Sequence, residues 1–202
     1  MSTADPDGID GRGQMLVISG PSGSGKSTIC KRLLEDERVV FSISATTRPM
    51  RTGEVDGRDY TFVTKERFRE HIERGDFIEW AEVHGNLYGT LRRPMEEALA
   101  AGKVYLVEID VQGGKQLKEL GLPGVYVFIA PPSMEELRAR LEGRNTDEPE
   151  VIERRLLKAE DEMRARDRYD HVFVNDDLEA TVGAVRALVG LGDAGSRTER
   201  HG

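Results

Sequence analysis

Cysteine is almost absent: Cys30 stands alone in 202 residues, which excludes an internal disulfide and any multi-cysteine metal site and fits a reducing compartment such as the cytoplasm. Long apolar runs are missing too. The start, MSTADPDGIDGRGQ, has no signal-like apolar stretch, and Met15 to Ile18, Val104 to Val107 and Val125 to Ala130 are strand-length rather than the ~18 residues of a membrane span. Basic side chains number 29 against 37 acidic ones, and the formal charge of −8 argues against a general binder of nucleic acid or membrane surface. An anionic ligand must therefore meet a local basic pocket. His71, His84, His171 and His201 lack metal-ligand spacing, so no zinc site is expected.

What is present is enough chain for one core domain with small insertions. Residues 1–14 and 192–202 are poor in apolar side chains and are expected to be disordered tails around a domain at 15–191. Strand-like and helix-like segments alternate between them, which predicts an α/β fold with a largely parallel sheet. Strands are expected at Met15 to Ser19, Phe41 to Ala45, Tyr60 to Val63, Phe77 to Val83, Val104 to Asp110, Val125 to Ala130 and His171 to Val174. Helices are expected from Lys26 to Glu35, Lys65 to Arg74, Glu150 to Arg166 and Leu178 to Val189. Another should open with Pro94 at its first position and stop at Gly102, and Ser133 with Glu136 forms a capping box for one reaching Glu142. The short strands around residues 46–90 look like an inserted lobe, and the polar GRNTDEP stretch within about 140–158 like a moving lid.

Gly20, Pro21, Ser22, Gly23, Ser24, Gly25, Lys26 and Ser27 fit the phosphate-binding pattern GxxxxGK followed by Ser or Thr, placed between a strand and a helix as that loop requires. The glycines let the backbone wrap an anion, Lys26 reaches terminal phosphates, and the Ser27 hydroxyl suits Mg²⁺. A plain glycine-rich turn is the weaker explanation. Downstream, Ser44, Arg48, Arg51, Glu54 and Tyr60 fall within seventeen residues and combine two forked guanidiniums with a phenol, a set suited to a second phosphate. Alone they would read as a solvated loop; beside a P-loop they read as an acceptor site.

ISGPSGSGKST, SISATTRPMRTGEVDGRDYTF, FIEWAEVHGNLYGT, VEIDVQGG, FIAPPS, RLEGRNTDE and HVFVNDD follow one another in the order and spacing of guanylate kinases, and the resemblance spans about Met15 to Val189. It implies the nucleoside monophosphate kinase variant of the P-loop α/β fold: a mostly parallel sheet flanked by helices (core 15–45 and 91–191), a small mixed α+β GMP-binding lobe (about 46–90) and a helical lid. The reaction implied is ATP + GMP to ADP + GDP with Mg²⁺, in the cytoplasm, with ATP and GMP as partners and oligomeric state undetermined. Two other readings are a catalytically weak guanylate-kinase-like interaction module and a kinase for a different monophosphate.

By the same resemblance, the loop from Gly20 to Ser27 with Thr28 binds ATP, and Arg48, Arg51, Tyr60 and Tyr88 hold the GMP phosphate with Glu54 beside them. Ser44, Glu79, Thr90 and Asp110 read guanine. Guanine offers N1–H and its 2-amino group side by side as donors that carboxylates accept, whereas adenine presents a lone pair at N1. Such a mismatch discriminates by ~10⁴ or more. Strand alternation alone leaves the direction of Glu79 open. Phosphoryl transfer between two anions needs charge neutralisation, supplied by Lys26, Arg48 and the lid arginines Arg144 and Arg155; Ile152, Leu156 and Ala159 mark the buried stripe that Arg155 borders and Arg154 does not. Glu108 stands where many relatives carry Asp, and Asn145 replaces the usual Gly after the lid arginine, which puts direct metal ligation by Glu108 and the lid hinge in question. Asn175 matches a residue near the adenine or serves as a strand-to-helix cap. Phe77 and Trp80 are expected to pack inside the lobe, and Cys30 in the core.

Overall fold

The computed structural model describes residues 13–83, 85–143 and 148–192. Among the described residues nine strands fall into two sheets. Five parallel strands form the larger sheet in the order β2 (Val39–Phe41), β7 (Val104–Glu108), β1 (Gln14–Ser19), β8 (Val125–Ala130) and β9 (His171–Val174). The chain is α/β with a parallel core sheet, as its alternating pattern predicts. Parallel neighbours need crossovers, and helices supply them on both faces.

Alternation along β1 sorts the two faces. Leu16 and Ile18 pack with Ile29, Cys30 and Leu33 of α1 (Lys26–Leu33) and Val182 and Val185 of α7 (Leu178–Leu188). Met15 and Val17 pack with Met95 and Ala98 of α3 (Arg92–Ala100) and Leu117 of α4 (Val111–Glu119). Buried on both faces, this strand reads as a continuous apolar run. Cys30 is a core residue, and burial pushes its thiol far above the ordinary range.

The smaller sheet is mixed, ordered β4 (Thr61–Phe62), β3 (Ala45–Thr46), β6 (Asn86–Leu91) and β5 (Phe77–Val83), with α2 (Lys65–Glu73) against it. Ala45, Phe68 and Phe77 form its own core. Ile78, the next residue of β5, belongs to the main core, so adjacent side chains anchor one strand in two cores and make it the joint between lobe and body. A helix pair, α5 (Met134–Glu142) and α6 (Pro149–Met163), packs through Leu137, Leu141, Ile152, Leu156 and Ala159; the lid expected at about 140–158 falls on this pair, with residues 144–147 of its polar stretch outside the described residues.

Several expectations are corrected. The strand anticipated from Phe41 to Ala45 is two strands, β2 and β3, in different sheets, because the chain leaves the core between them. Pro94 is the third residue of α3, since Leu91 is the cap; a first-turn N–H has no intrahelical partner, so proline is tolerated there. Helix α4 was not anticipated, because Gly113 and Gly114 depress its propensity. Packing overrides that: a methyl group on Gly113 would lie 2.3 Å from Ile109 Cδ1. Trp80 is not packed inside the lobe but 47% exposed, lining an open pocket between β5 and the end of α4 with Gln116, Glu119 and Leu120. The capping box at Ser133 forms, its hydroxyl accepting from Glu136 N–H at 3.1 Å.

Candidate active site

β1 ends in the glycine-rich loop, and the loop ends in α1. Gly25, which caps α1, has φ 97°, and a methyl group there would lie 2.1 Å from Asn175 Nδ2; Gly20, at φ 137°, has Ile129 O at 2.2 Å from the same position. Both conformations and both close approaches require glycine. Lys26 Nζ donates to Gly20 O at 2.6 Å and Pro21 O at 2.8 Å, curling back over the loop. Burial lowers its pKa, opposed by the charges of Glu108, Glu162 and Asp110. The Ser24 hydroxyl is buried inside the loop without a hydrogen-bond partner. Ser22 in the loop and Thr28 in the first turn of α1 are exposed, Pro21 is buried, and Gly23 packs against Leu137 of α5.

The Ser27 hydroxyl donates to Glu108 Oε1 at 2.6 Å. Parallel pairing of β1 with β7 puts Ile18 opposite Glu108, so the two oxygens meet at the carboxyl edge of the sheet, where open α/β sheets bind ligands. Asn175 is buried after β9, its amide donating to Ser24 O at 2.8 Å while Arg140 donates to Asn175 O at 3.2 Å. It braces the loop. The helix cap in that stretch is Asp177, which accepts from Ala180 N–H at 2.8 Å.

In the inserted segment, Arg48 follows β3 and forks onto Glu54, at 2.7 and 3.0 Å, with its guanidinium 5.4 Å from the Tyr60 ring centre. Tyr60 and Tyr88 meet edge to face at 6.1 Å. Burial raises the Tyr60 phenol, so it stays protonated and able to donate. Arg51 is exposed nearby, its backbone N–H held by Glu54 at 2.7 Å. Glu54 therefore fixes the Arg48 guanidinium and the backbone at Arg51. Thr46, missed in the sequence, accepts from Arg48 N–H at 3.1 Å and donates to Leu87 O at 3.0 Å; a fully buried threonine in a strand carries no signal distinguishing it from packing.

Glu79 faces inward. It lies opposite Thr90 in the β5–β6 register, and the Thr90 hydroxyl donates to its Oε1 at 2.7 Å. Burial raises its carboxyl pKa, the Thr90 bonds pull it down, and Asp110 pushes it up. Asp110 caps α4, accepting from Gly113 N–H at 2.9 Å. Ser44 is half-buried just before β3, its carbonyl accepting from Thr61 N–H at 2.9 Å. On α6, Arg155 is half-buried and Arg154 exposed, matching the helical wheel. Arg144 and Asn145 lie outside the described residues. Arg140 ion-pairs with Glu136 at 3.0 Å and reaches the carbonyl of the loop brace, Asn175. Glu162 and Lys158, 3.4 Å apart on α6, were also missed, although they follow Arg155 at helical spacing.

A glycine-rich phosphate loop between a parallel strand and a helix, with a second mixed sheet inserted into the chain and a packed helix pair beside the loop, is the architecture of a P-loop phosphotransferase. The guanylate kinase family model matches residues 12–190, and the chain belongs to that family. It is 45% identical over 179 residues to a guanylate kinase of Clostridioides difficile, covering 88% of this chain and 87% of that one. To a guanylate kinase of Dechloromonas aromatica it is 49% identical over 193 residues, covering 94% and 95%. The crystal structure of guanylate kinase from Anaplasma phagocytophilum superposes with a TM-score of 0.70 at 38% identity, over 90% of this chain and 86% of that one. Among the described residues no helix is long and apolar enough to cross a membrane.

Proposed function

We propose that the chain transfers the γ-phosphoryl group of ATP to GMP, giving ADP and GDP, within cytoplasmic guanine-nucleotide synthesis and salvage. The carrying observation is that Asp110 lies within electrostatic reach of both Lys26 in the phosphate loop and the half-buried Glu79, whose carboxylate Thr90 holds on the smaller sheet. Glu79, Asp110, Thr90 and Ser44 take the guanine edge, and Arg48, Arg51, Tyr60 and Tyr88 hold the acceptor phosphate. An oxygen of that phosphate attacks the γ-phosphorus as the bond to the β–γ bridging oxygen breaks. Lys26 exchanges its two loop carbonyls for phosphate oxygens, and Arg155 and Arg144, brought in by the lid, spread the charge that builds on the transferring group. Lid closure also excludes water, which would otherwise hydrolyse ATP.

The site suits Mg²⁺: Ser27 and Glu108 present hard oxygen donors 2.6 Å apart beside the phosphate loop. Bound there with ATP, the ion would neutralise charge on the β- and γ-phosphates. Ser27 would hold it directly or through water, with Glu108 acting on its shell.

The test is a coupled assay of ADP release with GMP, dGMP, AMP or UMP as acceptor, and with none. Release that depends on a guanine acceptor supports the reading. Release without an acceptor, or equal rates with AMP and GMP, contradicts it.

A further inference from the structure

Arg155, Lys158 and Glu162 lie at i, i+3 and i+7 on α6, one polar stripe beside the buried stripe of Ile152, Leu156 and Ala159. Lys158 Nζ lies 3.4 Å from Glu162 Oε1 and 4.0 Å from Asp110 Oδ2. Asp110 divides its carboxylate: Oδ1 accepts the Gly113 N–H that caps α4, and Oδ2 is turned to Lys158. Only 12% of the Glu162 side chain is exposed, so its charge is poorly screened.

Building on the GMP kinase reading, we propose that Lys158 is a positioning residue that couples guanine recognition at Asp110 to the placement of α6 and its Arg155. Without the ammonium, Lys26 alone offsets the like charges of Glu162 on α6 and Asp110 on α4, and the junction loses much of the attraction that holds this helix near the acceptor site. With it, the same junction attracts. The opposition of the two carboxylates is visible in Glu162, whose pKa burial raises, Lys158 and Lys26 lower, and Asp110 raises further. Both Lys158 contacts exceed the ~2.7–2.9 Å of a charge-assisted hydrogen bond, so lone pairs of Oδ2 stay open to guanine donors while the cation remains nearby. A compact charge on a flexible four-carbon stem can keep this contact as the lid moves, carrying the state of Asp110 into the position of Arg155, one turn earlier.

The test is steady-state kinetics of the full chain with Lys158→Gln, Lys158→Arg, Asp110→Asn and the double variant Lys158→Gln/Asp110→Asn. Asparagine caps helices well, so Asp110→Asn keeps α4, and Lys158 is 61% exposed, so its variants fold. Lys158→Gln is expected to lower kcat/KM for GMP about 3- to 10-fold with the ATP KM unmoved, Lys158→Arg to restore most of it, and the loss to vanish in the Asp110→Asn background. A Lys158→Gln enzyme like wild type, a loss that simply adds to that of Asp110→Asn, or an equal rise in both KM values would overturn the proposal. A wild-type chain without GMP-dependent turnover takes down both this and the underlying reading, and is seen before any variant is made.

Discussion

Ser27 and Glu108, 81 residues apart in the chain, share a hydrogen bond of 2.6 Å because β1 and β7 run parallel and end together. The pair ties the phosphate loop to the sheet edge and places two oxygens where a hydrated cation would sit. Replacing Glu108 with Gln keeps the shape and removes the charge. The apparent Mg²⁺ requirement is expected to rise about 10- to 100-fold while saturating Mg²⁺ restores most of the rate. Titrating activity against Mg²⁺ checks this, and an unchanged half-saturation point contradicts it.

Under the proposed reading, base selection rests on an ionised Glu79. Burial raises its pKa above the ordinary 4.5, so on acidification it takes up a proton earlier than an exposed glutamate does. Above the raised value it is a carboxylate that accepts from guanine; below it the proton occupies the accepting position. The account predicts that kcat/KM for GMP falls about tenfold per pH unit on the acid side of that pKa. Glu79→Gln should lose that limb and, with it, most of the preference for GMP over AMP. A Glu79→Gln enzyme that keeps the wild-type acid limb or selectivity contradicts the assignment.

Which of these contacts the sequence reveals depends on the physics behind each. The phosphate loop is legible because its chemistry needs glycine, lysine and a hydroxyl at fixed spacing, and the parallel sheet because strands buried on both faces are uniformly apolar. The inward turn of Glu79 is not legible: a strand alternates whichever face is wet, and only the Thr90 pairing decides. Helix α4 is hidden by Gly113 and Gly114, which tertiary packing requires and helix propensity disfavours. Trp80 misleads because large aromatics are usually buried, whereas here Ile78 and Phe77 already fill the two cores that β5 joins.

The buried Asn175 amide holds Ser24 O at 2.8 Å and packs against Gly25. Asn175→Ala removes this brace and leaves a loop carbonyl without its partner, about 1–2 kcal/mol of loop order, or a 5- to 30-fold drop in kcat/KM for ATP. The KM for GMP should barely move. ATP kinetics like wild type would show that the loop holds its shape unaided.

At the far edge of the core, Arg186, 7% exposed, reaches Asp36 Oδ2 at 2.9 Å and Gly192 O at 3.0 Å, pinning the end of the described chain. Arg38 and Arg186 hold the Asp36 carboxyl well below the ordinary carboxylate range. A depressed acid contributes stability that is present above its unfolded pKa, ~3.9, and is lost as pH falls through the folded value. Arg186→Met should cost about 1–3 kcal/mol near neutral pH, lowering Tm by about 2–4 °C per kcal/mol. The deficit should shrink in acid. Thermal melts of both proteins from pH 7 to pH 3 test it, and a deficit independent of pH contradicts the ion-pair origin.

The most direct measurement follows a labelled γ-phosphate from ATP in the presence of GMP, with Lys26→Ala as the control. The account predicts that label moves to the β-position of GDP in step with ADP formation, and that Lys26→Ala, correctly folded, moves none. Label released as inorganic phosphate with no labelled GDP, or transfer that persists at the wild-type rate in Lys26→Ala, would contradict it.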